Sequence, residues 1–351
     1  MPDPTPAAHG GSGTMARSHG RGQDVIIGRW QLVETLGAPD TWSMLTTGTT
    51  PRDWAAYQRA IPAALQPLVV AAHDSGAPVE RVLPKSRNPW SEMRLRAEPV
   101  VWPGARTHAV KVWVGDQAPA EELRVAPFQI DARARIVWSR PAGLGPHFGS
   151  EPVEYRGAEP FQRIERFDRA LDIVAALTRS APGSRWSEVA TVHSAAGPRS
   201  LLMAARNGTE AQRFSWRGLS VDVTDSIAPQ RKSFEAATLE LLRNTQPGLY
   251  LCILDTAQVR QVRWVTEPVP GLRWRGIDER LIPHPDDRAR IGAARARILA
   301  GAASAALTGV RLAAEPDGWL VADIEVSPLP AGDGAEPVFV LAQLQVTAPP
   351  V

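Results

Sequence analysis

One order of signals occurs three times along this chain: a short pair of alternating apolar runs, an Ala-, Leu- and Arg-rich stretch with helical spacing, then two or three further alternating runs. Gly- or Pro-marked turns separate the alternating runs. Each copy spans about a hundred residues, and each must bury the apolar face its own strands and helix present. With 351 residues and 44% hydrophobic content, the chain has enough apolar surface for a core in every copy. The expected fold is therefore α/β in the α+β sense: three tandem units, each an antiparallel sheet flanked by helices.

The first unit is expected over 25–118. Strands are read at 28–37 and 41–48, a helical run at 50–76 broken by Pro62 and Pro67, and a hairpin around Pro103-Gly104 in which Val100, Trp102, Val110, Val112 and Val114 alternate. The second, over 119–228, offers strands at 128–139, an amphipathic helix at 164–183 with Phe167, Leu171, Val174 and Leu177 on one face, and strands at 186–194, 199–208 and 212–225. A linker helix is expected over 229–247, stopped by Pro247-Gly248. The third unit, over 248–351, reads as a hairpin at 250–265, a helix at 284–301 and strands at 306–329 and 336–346. Residues 1–24, rich in Pro, Gly, Ser and His, lack the apolar surface to offset the entropy of ordering and read as a disordered tail.

Composition removes several function classes. With 39 basic residues against 37 acidic ones, interspersed throughout, there is no basic stripe to follow a phosphate backbone, so no nucleic-acid partner is expected. Cys252 is the sole cysteine, which excludes an intrachain disulfide and a multi-cysteine zinc site and fits a reducing cytoplasm. No leader pattern and no long apolar run point to export or a membrane, so a cytoplasmic location is expected.

Two short motifs carry more. His284-Pro285-Asp286-Asp287 suits a helix start, because proline is preorganised for the first turn and two carboxylates complement the positive helix end. Gly218 to Asp225, GLSVDVTD, closes the last strand of the second unit with Asp222 and Thr224. The hairpin, helix and three-strand order resembles PAS-type sensor domains, in which HPDD opens a helix and Asp-x-Thr ends the last strand. Together with WQLVETLG at 30–37, RAEPVV at 96–101, VKVWVG at 110–115 and WVTEPVP at 264–270, the chain resembles a family of mycobacterial and actinobacterial three-domain sensor proteins. That family is described as tandem PAS and GAF-like domains without an attached output domain. The first unit carries neither motif, which leaves PAS and GAF both open for it.

The resemblance implies a non-enzymatic sensor in which small-ligand or partner binding changes interdomain geometry, with Asp222 and Thr224 tied to the outgoing linker. No kinase-type, cyclase-type or helix-turn-helix motif is found, so the signal is expected to pass to a separate signalling protein. The alternative is a protein-binding scaffold whose sensor-like domains are filled; a homodimer is compatible with either. No catalytic residue is assigned: there is no Gly-x-Ser-x-Gly elbow, and Cys252 sits in an apolar strand. His73, His108, His147, His193 and His284 lack metal-ligand spacing, and no cofactor is predicted, although haem would need only one axial ligand such as His193 or His73. Among the twelve tryptophans, Trp264 and Trp274 are the pocket candidates for a small apolar ligand, because they flank the loop where PAS-like domains enclose ligands.

Overall fold

A computed structural model describes residues 27–104, 106–231, 241, 248–330 and 336–348. The tail expected at 1–24 and nearly all of the linker helix expected at 229–247 lie outside these residues. Residues 229–231 are irregular. The described residues are α+β, with three antiparallel sheets and a few helices.

The first sheet holds β1 (Gln31–Glu34), β2 (Ser43–Thr47), β3 (Thr50–Ala56), β4 (Val79–Val82), β5 (Arg94–Trp102) and β6 (Arg106–Gly115), in the order β3-β2-β1-β6-β5-β4. Its helices are α1 (Tyr57–Ala60) and α2 (Gln66–Ser75). The helical run read over 50–76 is thus corrected: residues 50–56 form a strand. Gly48, at φ 55°, turns the chain back so that Thr50 pairs with Thr47, and strand pairing overrides the Ala-rich composition. Pro67 does not break α2 but stands in its first turn, where the missing N–H is harmless, and Gly76 ends the helix at φ 62°.

The second sheet holds β7 (Val125–Asp131), β8 (Ile136–Ser139), β9 (Val153–Arg156), β10 (Ile164–Arg166), β11 (Arg185–Ser194), β12 (Gly197–Asn207) and β13 (Ser215–Asp222). Their order is β10-β11-β12-β13-β7-β8-β9. The helix read over 164–183 shortens to α3 (Ala170–Arg179), because Ile164 pairs with Val192 as an edge strand. The Glu188 carboxylate then accepts from Arg169 N at 3.0 Å, just before α3 begins.

The third sheet holds β14 (Leu249–Asp255), β15 (Gln261–Trp264), β16 (Ala305–Ala313), β17 (Trp319–Pro328) and β18 (Phe339–Ala348), ordered β15-β14-β18-β17-β16, with α4 (Arg288–Leu299) beside it. In all three sheets the opening strand lies between its own hairpin partner and the unit's last strand: β1 between β2 and β6, β7 between β8 and β13, β14 between β15 and β18. The repeated order in the sequence is a repeated topology in space.

The first two sheets pack back to back. Leu32, Ala109 and Trp113 meet Leu202, Ala204, Leu219 and Val221 in one buried cluster. Period two sends Val33, Val110, Val112 and Val114 the other way, onto Ile61, Leu65 and Val69. Both faces of the first sheet are therefore covered, which is why all four residues of β1 are buried. In the second sheet the alternate residues, Leu201 and Ala205, face a separate cluster that Val262 and Phe339 of the third sheet join.

Candidate functional site

The connection from β9 to β10 links the two edges of a seven-stranded sheet. Laid flat, that sheet would be six strand spacings wide, roughly 29 Å. The seven residues between Arg156 and Ile164 include the 3-10 segment Glu159–Arg163, which advances only about 2 Å per residue, so the link spans roughly 20 Å. The sheet must curl, and it curls around a cavity of about 960 Å³.

The walls are apolar and aromatic. Alternation in β12 aims Leu201, Met203 and Ala205 inward; Phe128 and Ile130 come from β7, Trp186 and Val192 from β11, and Ile173, Val174 and Leu177 from α3. Phe161 lies against Phe167 at 6.1 Å between ring centroids, and Phe167 meets Trp186 edge-on at 5.5 Å. Gly218 is required beside them, since a Cβ there would overlap the Phe128 ring. A pocket of this size and character suits a drug-sized molecule.

Polar side chains gather at the margins. Arg133, Arg135, Arg163, His147 and His193 line the cavity together with Asp255 and Gln258, which belong to the third sheet's first hairpin. Arg135 Nη1 lies 3.5 Å from Asp255 Oδ2 and 3.7 Å from Glu279 Oε1, while its Nη2 donates to the Gln261 carbonyl at 2.7 Å. Burial pushes the Glu279 carboxyl above its usual range, although Arg135 opposes the shift. A Cβ at Gly157 would overlap the Glu279 carboxylate, so a glycine there lets the two units meet.

Sequence reading placed the pocket elsewhere. Trp264 and Trp274 are both buried and meet edge-on at 6.3 Å in the third core. Trp264 lines a smaller cavity of about 120 Å³ with Gln261 and Glu279, and Trp274 does not line it. The larger cavity had a signal in the alternation of Leu201, Met203 and Ala205 and in the aromatic run from Phe148 through Tyr155 and Phe161 to Phe167. The curl that joins these segments is set by sheet order.

The motif residues occupy strand and helix ends. Asp222 Oδ2 accepts from Arg199 Nη2 at 2.6 Å, and its Oδ1 accepts from Thr224 Oγ1 at 2.6 Å and Thr224 N at 3.1 Å. Thr224 Oγ1 in turn accepts from Ser200 N at 3.0 Å. Burial raises the Asp222 carboxyl, but the hydrogen bonds from Thr224 and Arg199 outweigh it and hold the group below its usual range. His284 caps a 3-10 turn, Pro285–Asp287, that runs into α4, its Nδ1 accepting from Asp286 N at 3.2 Å. Buried Asp287 accepts from Arg311 Nε at 3.0 Å and Arg290 Nη1 at 3.1 Å, and Asp286 from Arg311 Nη2 at 3.1 Å.

Of the two histidines read as axial ligands, His193 lines the large cavity and His73 does not; His73 contacts Asp74 at 2.8 Å and the Trp42 ring at 4.7 Å. Burial pushes the Cys252 thiol up to about 12, which leaves it a poor nucleophile. Among the described residues no three His, Cys, Asp or Glu side chains converge as a metal-binding group, and no helix is long and apolar enough to cross a membrane.

Residues 29–121 match a family model described as Rv3651-like, N-terminal. No curated protein matches the chain. The crystal structure of an uncharacterized protein from Mycobacterium tuberculosis, 19% identical, aligns over 92% of this chain and 97% of that one with a TM-score of 0.71. The two share a fold. An RNA-binding light-oxygen-voltage receptor (13% identity, 63% of this chain, 95% of that one, TM-score 0.25) and a methyl-accepting chemotaxis protein X (11%, 64%, 75%, 0.19) superpose too poorly to define a common arrangement.

Proposed function

We propose that this protein is a non-enzymatic, PAS-type sensor whose second unit takes a small, largely apolar ligand and passes its occupancy to a separate output protein. One observation carries the reading: a cavity of about 960 Å³, walled by one sheet yet completed by Asp255 and Gln258 of the next unit. A ligand there touches both units, so it can prefer one interdomain arrangement over another, and only such a differential preference shifts a population. The strand order around β7 and β14, hairpin partner on one side and last strand on the other, supports the PAS part of the reading.

The test is native mass spectrometry beside the denatured mass, with uptake of the neutral fluorophore N-phenyl-1-naphthylamine as the second readout. An extra stoichiometric mass, or saturable fluorophore binding abolished by Ala205→Trp, supports the sensor. A clean mass with no saturable uptake sinks it and leaves the filled scaffold.

A further inference from the structure

We infer that the ligand of the second unit's cavity is an amphiphilic acid, an apolar body ending in a carboxylate or similar anionic head. This rests on the reading of that cavity as a ligand site and adds the chemistry of the ligand's polar end.

The walls offer a ligand only apolar contact over most of its surface, so a single polar group must find its partners at the margins, where the charges are unequal. Three arginines line the cavity against one carboxylate, Asp255, and that carboxylate is already paired with Arg135. Neighbouring acids do not restore the balance. Glu279 is buried outside the cavity lining, with its Oε1 3.7 Å from Arg135 Nη1. Neither Glu159, which accepts from Arg156 N at 2.8 Å and Gly276 N at 2.6 Å, nor Glu165, 4.0 Å from His193, lines the cavity.

Arg133 and Arg163 remain. Both are exposed at the margin, and neither makes an ion pair among the described residues. Arg133 contributes its carbonyl to Arg260 Nη1 at 3.1 Å, while the Arg163 guanidinium lies over the Tyr155 ring at 5.8 Å. A guanidinium at the rim of an apolar cavity favours an anion through a two-pronged, charge-assisted hydrogen bond. A cationic head would meet uncompensated repulsion, and an alcohol would gain neither effect.

Displacement of N-phenyl-1-naphthylamine by three probes with one apolar body, dodecanoate, dodecan-1-ol and dodecylamine, separates the claims. The acid is expected to displace the fluorophore at about tenfold lower concentration than the alcohol at pH 8, with the amine weakest. Arg133→Gln combined with Arg163→Gln should bring acid and alcohol together while leaving the alcohol unchanged, and both positions are exposed, so the fold should survive. Equal displacement by acid and alcohol in the natural protein, or a tighter amine, overturns the anionic head and leaves the cavity reading intact. Absence of fluorophore uptake overturns both.

Discussion

Glu34 Oε1 lies 3.3 Å from Arg206 Nη1, an ion pair that joins β1 of the first sheet to β12 of the second inside their shared interface. Glu34 is fully buried, its Oε1 also accepts from Leu36 N at 2.8 Å, and its Oε2 has no partner. Burial therefore holds its carboxyl above the ordinary 4.5, with Arg206 pulling the other way. A raised acid in the folded state means stability falls as pH climbs from 4.5 through the folded value.

Removing Arg206 should steepen that fall. Arg206→Met removes the guanidinium paired with this buried carboxylate and leaves only the weaker influence of Arg185, and about 3 kcal/mol of stability should be lost at pH 8. At pH 5 the loss should be smaller, because Glu34 takes up a proton. Urea midpoints at the two pH values measure this, and an equal loss at both would show that packing alone matters at this site.

His108 reports the same interface with the opposite sign. It is fully buried, and its Nδ1 donates to the Gly218 carbonyl at 3.1 Å across the two sheets. Burial pushes its pKa down to about 4 from 6.5, so the unfolded chain binds the extra proton between those values. The stabilisation is complete above 6.5 and lost as pH falls toward 4, on the order of 3 kcal/mol. His108→Asn, which keeps a donor near Nδ1, should flatten the urea midpoint across that window. An unchanged pH slope would place the titrating group elsewhere.

Much of the fold is legible in period-two runs. Strands β11, β12 and β13 stand where alternation put them, and the Pro103-Gly104 turn joins β5 to β6 as read. The failures at Thr50–Ala56 and Ile164–Arg166 have one cause: both segments are edge strands whose partners lie across a turn or on β11, so pairing decides them and local propensity does not. The cavity was not legible because it depends on the short β9–β10 link forcing a wide sheet to curl. Nor could sequence show that Trp264 and Trp274 pack against each other, since strand register fixes the face of Trp264 while Trp274 comes from the irregular segment after β15.

Asp222→Ala tests the end of β13. The substitution strands Arg199 and removes the acceptor that holds Thr224, so about 2–3 kcal/mol should be lost and the amides of Val223 and Thr224 should exchange faster. Because the carboxyl is held low, its contribution is present above 3.8 and disappears as pH falls through the folded value. Ser226, three residues on from Val223, contacts Thr49 Oγ1 at 2.6 Å in the β2–β3 turn of the first unit, so small-angle scattering should register a changed interdomain arrangement. Faster exchange with unaltered scattering would confine Asp222 to a local role.

Gly157 tests the contact that completes the cavity. Its φ of 50° already favours glycine, and a Cβ would drive into the Glu279 carboxylate, which leans on Arg135 and through it on Asp255. Gly157→Ala should therefore part the second and third units without emptying either core: apparent stability falls by about 1–3 kcal/mol, and proteolysis between the two sheets quickens. Glu279→Ala in the same chain makes room for the methyl group and should recover part of the interdomain contact. If Gly157→Ala weakens fluorophore binding and the second substitution restores it, the cavity depends on the third unit; binding indifferent to both would mean that the second unit forms the site alone.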